Sequence, residues 1–399
     1  MDLDFSREDM AFRDEVRRFI DANLTDDLRH AAKTQTAIFA EFEPTMRWHK
    51  VLHEKGWIAP SWPKEHGGTG WTVTQRYLFN REMTEAHAPK PLPNGLGMVG
   101  PVIIKFGTPE QQAKYLPRIL SGDDYWAQGY SEPGSGSDLA SLKTKAVGDG
   151  DHYVINGSKI WTTYAQYAQR MFCLVRTSDK GKPQEGISFL LFDMDTPGIT
   201  VDPIITLGGD HEVNQVFFDD VRVPKSGLIG EENNGWTYAK YLLEWERGAG
   251  AWAPRLIADL RHLRHMAASE HSDGLRLADD PAFAARMDAA EVELMALEMI
   301  ELRIMSALSK GGSPGPEASM IKVRGSEAMQ TVTTLTMEAV AYYAAPFTIH
   351  DARLHNQAPI GPDYAPPAAP HYLNARAGSI YAGTNEVQRD IMAKLVLGL

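Results

Sequence analysis

Two short segments concentrate the residue types able to do chemistry. In YSEPGSGSD, residues 130 to 138, glycines, serines and a proline share one turn, so backbone N–H groups and hydroxyls can converge on an anion; the same composition also makes a plain surface loop. In KIWTT, residues 159 to 163, Trp161 sets a large flat apolar face beside the hydroxyls of Thr162 and Thr163. That combination suits stacking on a planar heterocycle and bonding its edge, or, alternatively, a tryptophan in a sheet core. A third segment, LLEWERGAGAW (242 to 252), carries an acid at helical spacing. Leu242, Leu243, Ala249 and Gly250 surround Glu246, an apolar stripe whose glycine leaves room for a substrate chain beside a sheltered carboxylate. Kept from water, such a carboxylate is more basic than an exposed one and can act as a general base. Glu244 shares its face with Lys240, Tyr241, Arg247 and Gly248, which reads as an ion-paired surface or a polar ligand contact. The bland alternative for Glu246 is an ordinary glutamate on an exposed helix.

The elements that must position these residues fall into three blocks. From Phe5 to about Leu120 apolar residues recur at helical spacing, as in Phe12, Val16, Phe19 and Ile20, with breaks at Pro44, Pro60, Pro63 and residues 89 to 95. Between about Asp124 and Gly230 short β-branched and aromatic runs (HYVING, RMFCLV, ISFLLF, GITVDPI, QVFFDDVRV) predict an antiparallel β domain. Helical periodicity returns from Gly235 in three long segments, 235 to 270, 281 to 310 and 316 to 345, then a proline-rich loop at 358 to 370 and a last helix near 385 to 397. The expected fold is therefore α+β: a helical domain over 1 to 121, a β-sandwich or barrel over 122 to 232 and a helical bundle over 233 to 399.

A chain of 399 residues suits two to three domains at roughly 150 residues each. With 43% apolar and 23% charged residues it is an ordinary globular composition, and a net charge of −12 with no Lys/Arg run argues against nucleic acid as a partner. A lone cysteine, Cys173, forms no intrachain disulfide. The N-terminus lacks the basic start and apolar core of a secretory signal, and no apolar stretch reaches about 18 residues, so a cytoplasmic protein is expected. GLGMVG at 95 to 100 matches G-x-G-x-x-G by letter, but no strand can end in the preceding HAPKPLPN, so a glycine-rich entry to a closely packed helix is expected there in place of a dinucleotide site. His211 and Glu212 in GGDHEVN lack the second histidine of a helical zinc motif, and no metal site is expected.

In this order, GYSEPGSGSDLASLKTKA, YVINGSKIWTT, FDDVRVP and IYAGTNEVQRDIMAK resemble the acyl-CoA dehydrogenase family over nearly the whole chain. The resemblance implies a helical, a β and a four-helix domain, with FAD between the β domain and the last helices. Residue by residue, it puts Gln128 and Ser131 at the flavin, Gly136 and Ser137 where the family meets the FAD pyrophosphate or, for Ser137, the acyl-CoA, and Trp161 and Thr163 over the flavin's reactive edge. Thr384 and Glu386 take the places of the FAD ribose and phosphate contacts, although a glutamine is commoner at 386 and a carboxylate there repels diphosphate.

The implied reaction is α,β-dehydrogenation of an acyl-CoA to a 2-enoyl-CoA, as in β-oxidation of lipid or steroid side chains. Many members place the base just before Gly-Thr in the C-terminal loop, but here that residue is Ala382, which offers only its N–H to the thioester carbonyl. Other relatives put a glutamate before an arginine on a helix, and Glu246 beside Arg247 takes that role, with Arg247 and Glu244 at the acyl-CoA. The stretches by which homotetrameric relatives reach a neighbour's FAD are missing from DGLRLADDPAFAARMD and TMEAVAYYAAPF, which implies an α2β2 assembly, with a dimer or homotetramer as alternatives. Reoxidation by an electron-transfer flavoprotein is implied. Competing readings are a non-catalytic subunit of such a heteromer, or a flavin oxidase or monooxygenase on the same fold. Ala249, Gly250, Ala251 and the glycines at 95 to 100 hint at space for a bulky chain.

Overall fold

The computed structural model describes residues 5–248, 252–309, 315–346 and 360–398, without the side chains of 244–248 and 309. The first block is helical: α1 (Arg7–Asn23), α2 (Asp26–Lys33), α3 (Phe42–Glu54), α4 (Val73–Glu85), α5 (Gly100–Phe106) and α6 (Pro109–Ser121). In α1 the buried residues are Phe12, Val16 and Ile20, one stripe at four-residue spacing, and a Ser6–Asp9 capping box starts the helix. GLGMVG is helical: Asn94–Val99 forms a π-turn that runs into α5, and a Cβ at Gly100 would overlap the Trp62 indole, whose Nε1 donates to the Leu96 carbonyl at 2.7 Å. Gly95, against Ile119, and Gly100 serve close packing, as the sequence context suggested, whereas a Cβ at Gly97 would meet only Pro93 at 3.7 Å.

The middle block holds β1 (Trp126–Gly129), β2 (Lys145–Asp149), β3 (His152–Thr163), β4 (Arg170–Arg176), β5 (Ile187–Asp193), β6 (Ile199–Ile204) and β7 (Val213–Pro224). They form one curled sheet in the order β1-β4-β2-β3-β7-β6, with β5 also paired to β4. The pairing is antiparallel except that β1 runs parallel to β4 and β2 meets β4 in parallel at one residue pair. HYVING and KIWTT are one strand, β3, with register shifts between Ile155 and Gly157 and between Lys159 and Thr162.

The last block contains α7 (Gly235–Gly248), α8 (Ala253–Ser269), a two-stranded hairpin of β8 (His271–Ser272) and β9 (Leu275–Arg276), then α9 (Pro281–Ser309), α10 (Glu317–Val340), α11 (Ala368–Ala375) and α12 (Asn385–Met392). The expected single helix over 235 to 270 is two helices, α8 opening with Pro254 in its first turn. Leu256, Leu260, Leu263, Leu294, Leu297, Val332 and Leu335 make the bundle core, while α7 packs with the helical block and β5 through Tyr238, Ala239 and Leu242.

Candidate functional site

The turn 130 to 138 and the end of β3 are held together by a buried ion pair. Lys159 is wholly buried and its Nζ donates to Glu132 Oε1 at 2.8 Å and to the Tyr130 carbonyl at 3.1 Å. Glu132 also accepts from the backbone N–H groups of Lys143 (2.7 Å) and Thr144 (2.9 Å). Burial works to raise the Glu132 pKa, but the Lys159 ammonium and these donors outweigh it and hold the carboxyl below its ordinary value. The Ile160 N–H donates to the Ser131 carbonyl at 2.9 Å, joining the two motifs along their backbones.

Beyond that link β3 bulges. Trp161 lies at φ 61°, a left-handed conformation costly for a bulky residue, and its side chain is 60% exposed. A strained, outward-facing indole contributes nothing to the sheet core, so the sheet-core reading of Trp161 fails. Thr162 turns inward, its hydroxyl buried without a partner, and its carbonyl accepts from Asn214 Nδ2 at 3.0 Å. Asn214 in turn bonds Gln166 at 2.6 Å and His211 Nε2 at 2.7 Å, so His211 serves this framework. Thr163 is half-buried, its carbonyl accepting from the Tyr125 hydroxyl at 3.0 Å. Gly136 and Ser137 are exposed at the turn, and a Cβ at Gly134 or Gly136 would meet nothing within 4 Å. Gln128 and Ser131 are half-buried on β1 and at the turn's start.

The C-terminal loop forms a second group. Ala382 (φ 54°) and Gly383 (φ 81°) are exposed, and Thr384 caps α12 by accepting from the Val387 N–H at 3.2 Å. Glu386 is 78% exposed, 3.9 Å from Arg389. Among the described residues no hydrogen bond or ion pair joins this loop directly to Ser131 or Trp161. The bridge is Glu212, 3% exposed, which accepts from Asn374 Nδ2 (3.1 Å) of α11 and from the Ile38 N–H (3.1 Å), while its carbonyl accepts from the Tyr164 N–H just beyond β3.

Between the N-terminal and C-terminal helical blocks lies a cavity of about 730 Å³. Apolar residues such as Leu92, Leu96, Leu256 and Val332 line it, together with Lys90, Arg255, Asp259, Glu301 and His371. Glu301 Oε1 accepts from the Trp252 (2.7 Å) and Ala253 (3.0 Å) N–H groups, the first donors of α8, and Oε2 is buried without a partner. Burial pushes its carboxyl up to about 7. Since the folded chain holds this proton more tightly than the unfolded one, stability falls as pH rises from about 4.5 to about 7 and the full cost persists above. Glu301→Gln keeps an oxygen for the two amides and is expected to stabilise the fold by ~1–3 kcal/mol at pH 8 and hardly at all at pH 4. Urea unfolding at the two pH values checks this; an equal midpoint shift at both would refute it.

The side chains of Glu244, Glu246 and Arg247, and residues 249–251, lie outside the described residues; α7 carries Glu246 one turn beyond Leu242, fully buried, and Leu243, packed on the same core. Sequence reasoning missed Glu132, Lys159, Glu212 and the charged cavity wall. Two of these left a signal: Lys159 stands in phase with the inward Tyr153 and Ile155 of β3, and Arg255, Asp259 and His262 recur at helical spacing.

Three family descriptions match: acyl-CoA dehydrogenase N-terminal domain over residues 6–123, middle domain over 127–221 and C-terminal domain over 233–397. The chain is 35% identical over 359 residues to acyl-CoA dehydrogenase IpdE1 of Mycobacterium tuberculosis (strain ATCC 25618 / H37Rv), covering 90% of this chain and 89% of that one. It is 32% identical to acyl-CoA dehydrogenase FadE26 of the same organism, covering 100% and 99%. Of solved structures, the Tcur3481-Tcur3483 steroid ACAD aligns with a TM-score of 0.84 at 30% identity over 100% of this chain and 99% of that chain. The ChsE4-ChsE5 complex from Mycobacterium tuberculosis aligns with a TM-score of 0.83 at 32% identity, again over 100% and 99%.

Proposed function

Because the chain belongs to the acyl-CoA dehydrogenase family, a family of FAD-dependent oxidoreductases, we propose that it converts a bulky acyl-CoA to its 2-enoyl-CoA, with Glu246 taking the α-proton. The observation that carries this reading is Trp161: a strained, solvent-facing indole at a β-bulge, locked by the buried Glu132–Lys159 pair beside an open Gly/Ser turn. Such an arrangement suits a planar cofactor with a diphosphate tail.

The residues present fit FAD. Trp161, Thr163, Ser131 and Gln128 would hold the ring, with the unpartnered Thr162 hydroxyl beneath the same bulge, and Gly136, Ser137 and Thr384 the ribose and diphosphate, with Glu386 confined to the ribose side because its carboxylate would repel the diphosphate. The chemistry FAD supplies when bound is acceptance of the β-hydride at N5. The chain's own part is to acidify and remove the α-proton. The Ala382 N–H polarises the thioester carbonyl, stabilising charge that develops as the C–H bond breaks. Glu246, one turn beyond the buried Leu242 on α7, takes the α-proton, while Ser137, Glu244 and Arg247 hold the acyl-CoA. The cavity of about 730 Å³ gives room for a bulky acyl group, and the relative described as a steroid ACAD supports that size class.

The reading includes a second polypeptide. Val292, Met295 and Met299 form an exposed apolar stripe on α9, with Met320 exposed on α10, and the relative of known structure is a complex of ChsE4 with ChsE5. An electron-transfer flavoprotein is the proposed acceptor. In the test, the protein is expressed with and without the neighbouring reading frame and mixed anaerobically with acyl-CoAs. Loss of the flavin's visible absorbance on mixing is expected from the co-expressed form, with FAD substoichiometric in the chain alone. Stoichiometric FAD and full activity in the chain alone would rule out the partner, and no bleaching of a fully flavinated complex by any acyl-CoA would rule out the dehydrogenase.

A further inference from the structure

The cavity wall is apolar over most of its area, yet its charged residues are unbalanced. Lys33, Arg76, Lys90 and Arg255 line it against two carboxylates, Asp259 and Glu301, and Glu301 is engaged by the α8 amides. Burial, with the repulsion of the nearby Arg255 guanidinium added to it, pushes the Lys90 amine down to about 8. Among the described residues Lys90, an exposed residue that lines the cavity, has no hydrogen-bond or ion-pair partner. Arg255 has only a loose pairing, its Nε 3.9 Å from Asp259 Oδ2. The neighbouring His371 is held neutral, burial pushing it down to about 3, so it can only donate or accept a hydrogen bond.

An ammonium and a guanidinium sharing one weakly engaged carboxylate on a cavity wall are an unfinished electrostatic arrangement, because their mutual repulsion is only partly offset. A ligand's anion would complete it; a neutral ketone or hydroxyl would leave the excess charge standing. We propose that the acyl group accepted by this cavity bears a second carboxylate, bound between Lys90 and Arg255 at the end remote from the thioester. This rests on the reading that the cavity takes the acyl part of an acyl-CoA, and it narrows that reading to half-thioesters of dicarboxylic acids. Arg255 is suited to the task by its planar fork of donors, and Lys90 adds a point charge.

The test measures binding to the holoenzyme by calorimetry, so it does not depend on turnover. Adipyl-CoA is compared with 6-methylheptanoyl-CoA, in which a branched alkyl end replaces the carboxylate, and with the methyl ketone 6-oxoheptanoyl-CoA; suberyl-CoA and 8-methylnonanoyl-CoA repeat the alkyl comparison at greater reach. The carboxylate ligand of at least one length is expected to bind ten-fold or more tighter than its alkyl counterpart. Lys90→Met should erase that preference while leaving the alkyl ligand's affinity unchanged or tighter, and Lys90→Arg should restore part of it. Unchanged FAD content and melting temperature show that the variants are folded. Equal affinities at both lengths, a ketone that binds as well as the carboxylate, or a preference that survives Lys90→Met with Arg255→Gln would each overturn the proposal. Flavin bleaching is scored separately: a carboxylate preference without bleaching removes the dehydrogenase reading and leaves this one, and bleaching without the preference does the reverse.

Discussion

Glu246→Gln is expected to lower kcat by a factor of about 100 to 10,000, the range over which a positioned general base contributes to proton transfer, with FAD content and acyl-CoA affinity little changed. The expectation follows from what an α-C–H requires. The thioester carbonyl must be polarised and a carboxylate must accept the proton at the same time, and Ala382 supplies only an N–H, so the base must come from elsewhere. A glutamine at 246 preserves volume and can still contact the substrate but has no affinity for a proton at neutral pH. The loss should therefore appear in kcat and kcat/KM together, and an α-deuterated substrate should show a larger isotope effect in the variant as proton transfer becomes rate-limiting. Glu301 is the informative control. It is buried on the wall of the cavity between the helical blocks, its carboxyl sits near 7, and one of its oxygens has no partner, properties that a base would also have. If Glu301→Gln caused the larger fall in kcat and Glu246→Gln left the rate intact, the base would belong to α9, and the assignment to α7 would be wrong.

What could be read from the chain follows the range of the interactions. The strands β3 to β7 were legible because each is a short run of β-branched and aromatic residues set off from the next by Gly, Asp or Pro, and α1 because Phe12, Val16 and Ile20 repeat at four. The parallel partnership of β1 with β4 was not, since it joins Trp126 to Arg170 across an intervening hairpin and no local pattern encodes it. The division of 235 to 270 into α7 and α8 was signalled by Gly248 and Pro254 but overridden by the continuous apolar spacing. α11 is short and follows Pro366 and Pro367, so local propensity gave no warning; it is held by packing on α10 and by Asn374 reaching Glu212. In the site, Trp161 and the Gly/Ser turn were conspicuous by type. The pair that fixes them was written in the same two motifs, but a buried salt bridge becomes visible only when the inward phase of Lys159 is asked for a counter-charge. The polar wall of the cavity shows the remaining gap: Arg255, Asp259 and His262 could be placed on one face of α8, and only the tertiary structure says that this face borders a cavity.

Lys159→Met should be the most destabilising single change in the β domain, by about 3–5 kcal/mol, because it leaves the Glu132 carboxylate buried without its cation. Lys159 is 0% and Glu132 8% exposed, so water cannot take over the lost interaction without opening the turn. Two donors, the Lys143 and Thr144 amides, remain and keep the loss from being larger. The double change Glu132→Gln with Lys159→Met removes both charges and should recover a substantial part of the stability, since a neutral amide can still accept from those amides. The pH dependence gives an independent sign. In the wild type the Glu132 carboxyl is held below its ordinary value of 4.5, so its contribution is fully present above that pH and is lost as pH falls through the lowered folded value. Without Lys159, burial, the largest single influence on this carboxyl, is opposed only by the amides, so its folded pKa rises and the variant should gain stability relative to wild type as pH falls toward 5. The functional consequence follows from the same pair: once the turn that begins at Ser131 is no longer anchored to β3, the strained backbone at Trp161 can relax, and FAD content should fall in the single variant and partly return in the double. Urea midpoints at pH 5 and 8, with flavin content measured on the same preparations, decide the matter; a single variant that unfolds with the wild type and keeps its full flavin would show that the ion pair does not organise this site.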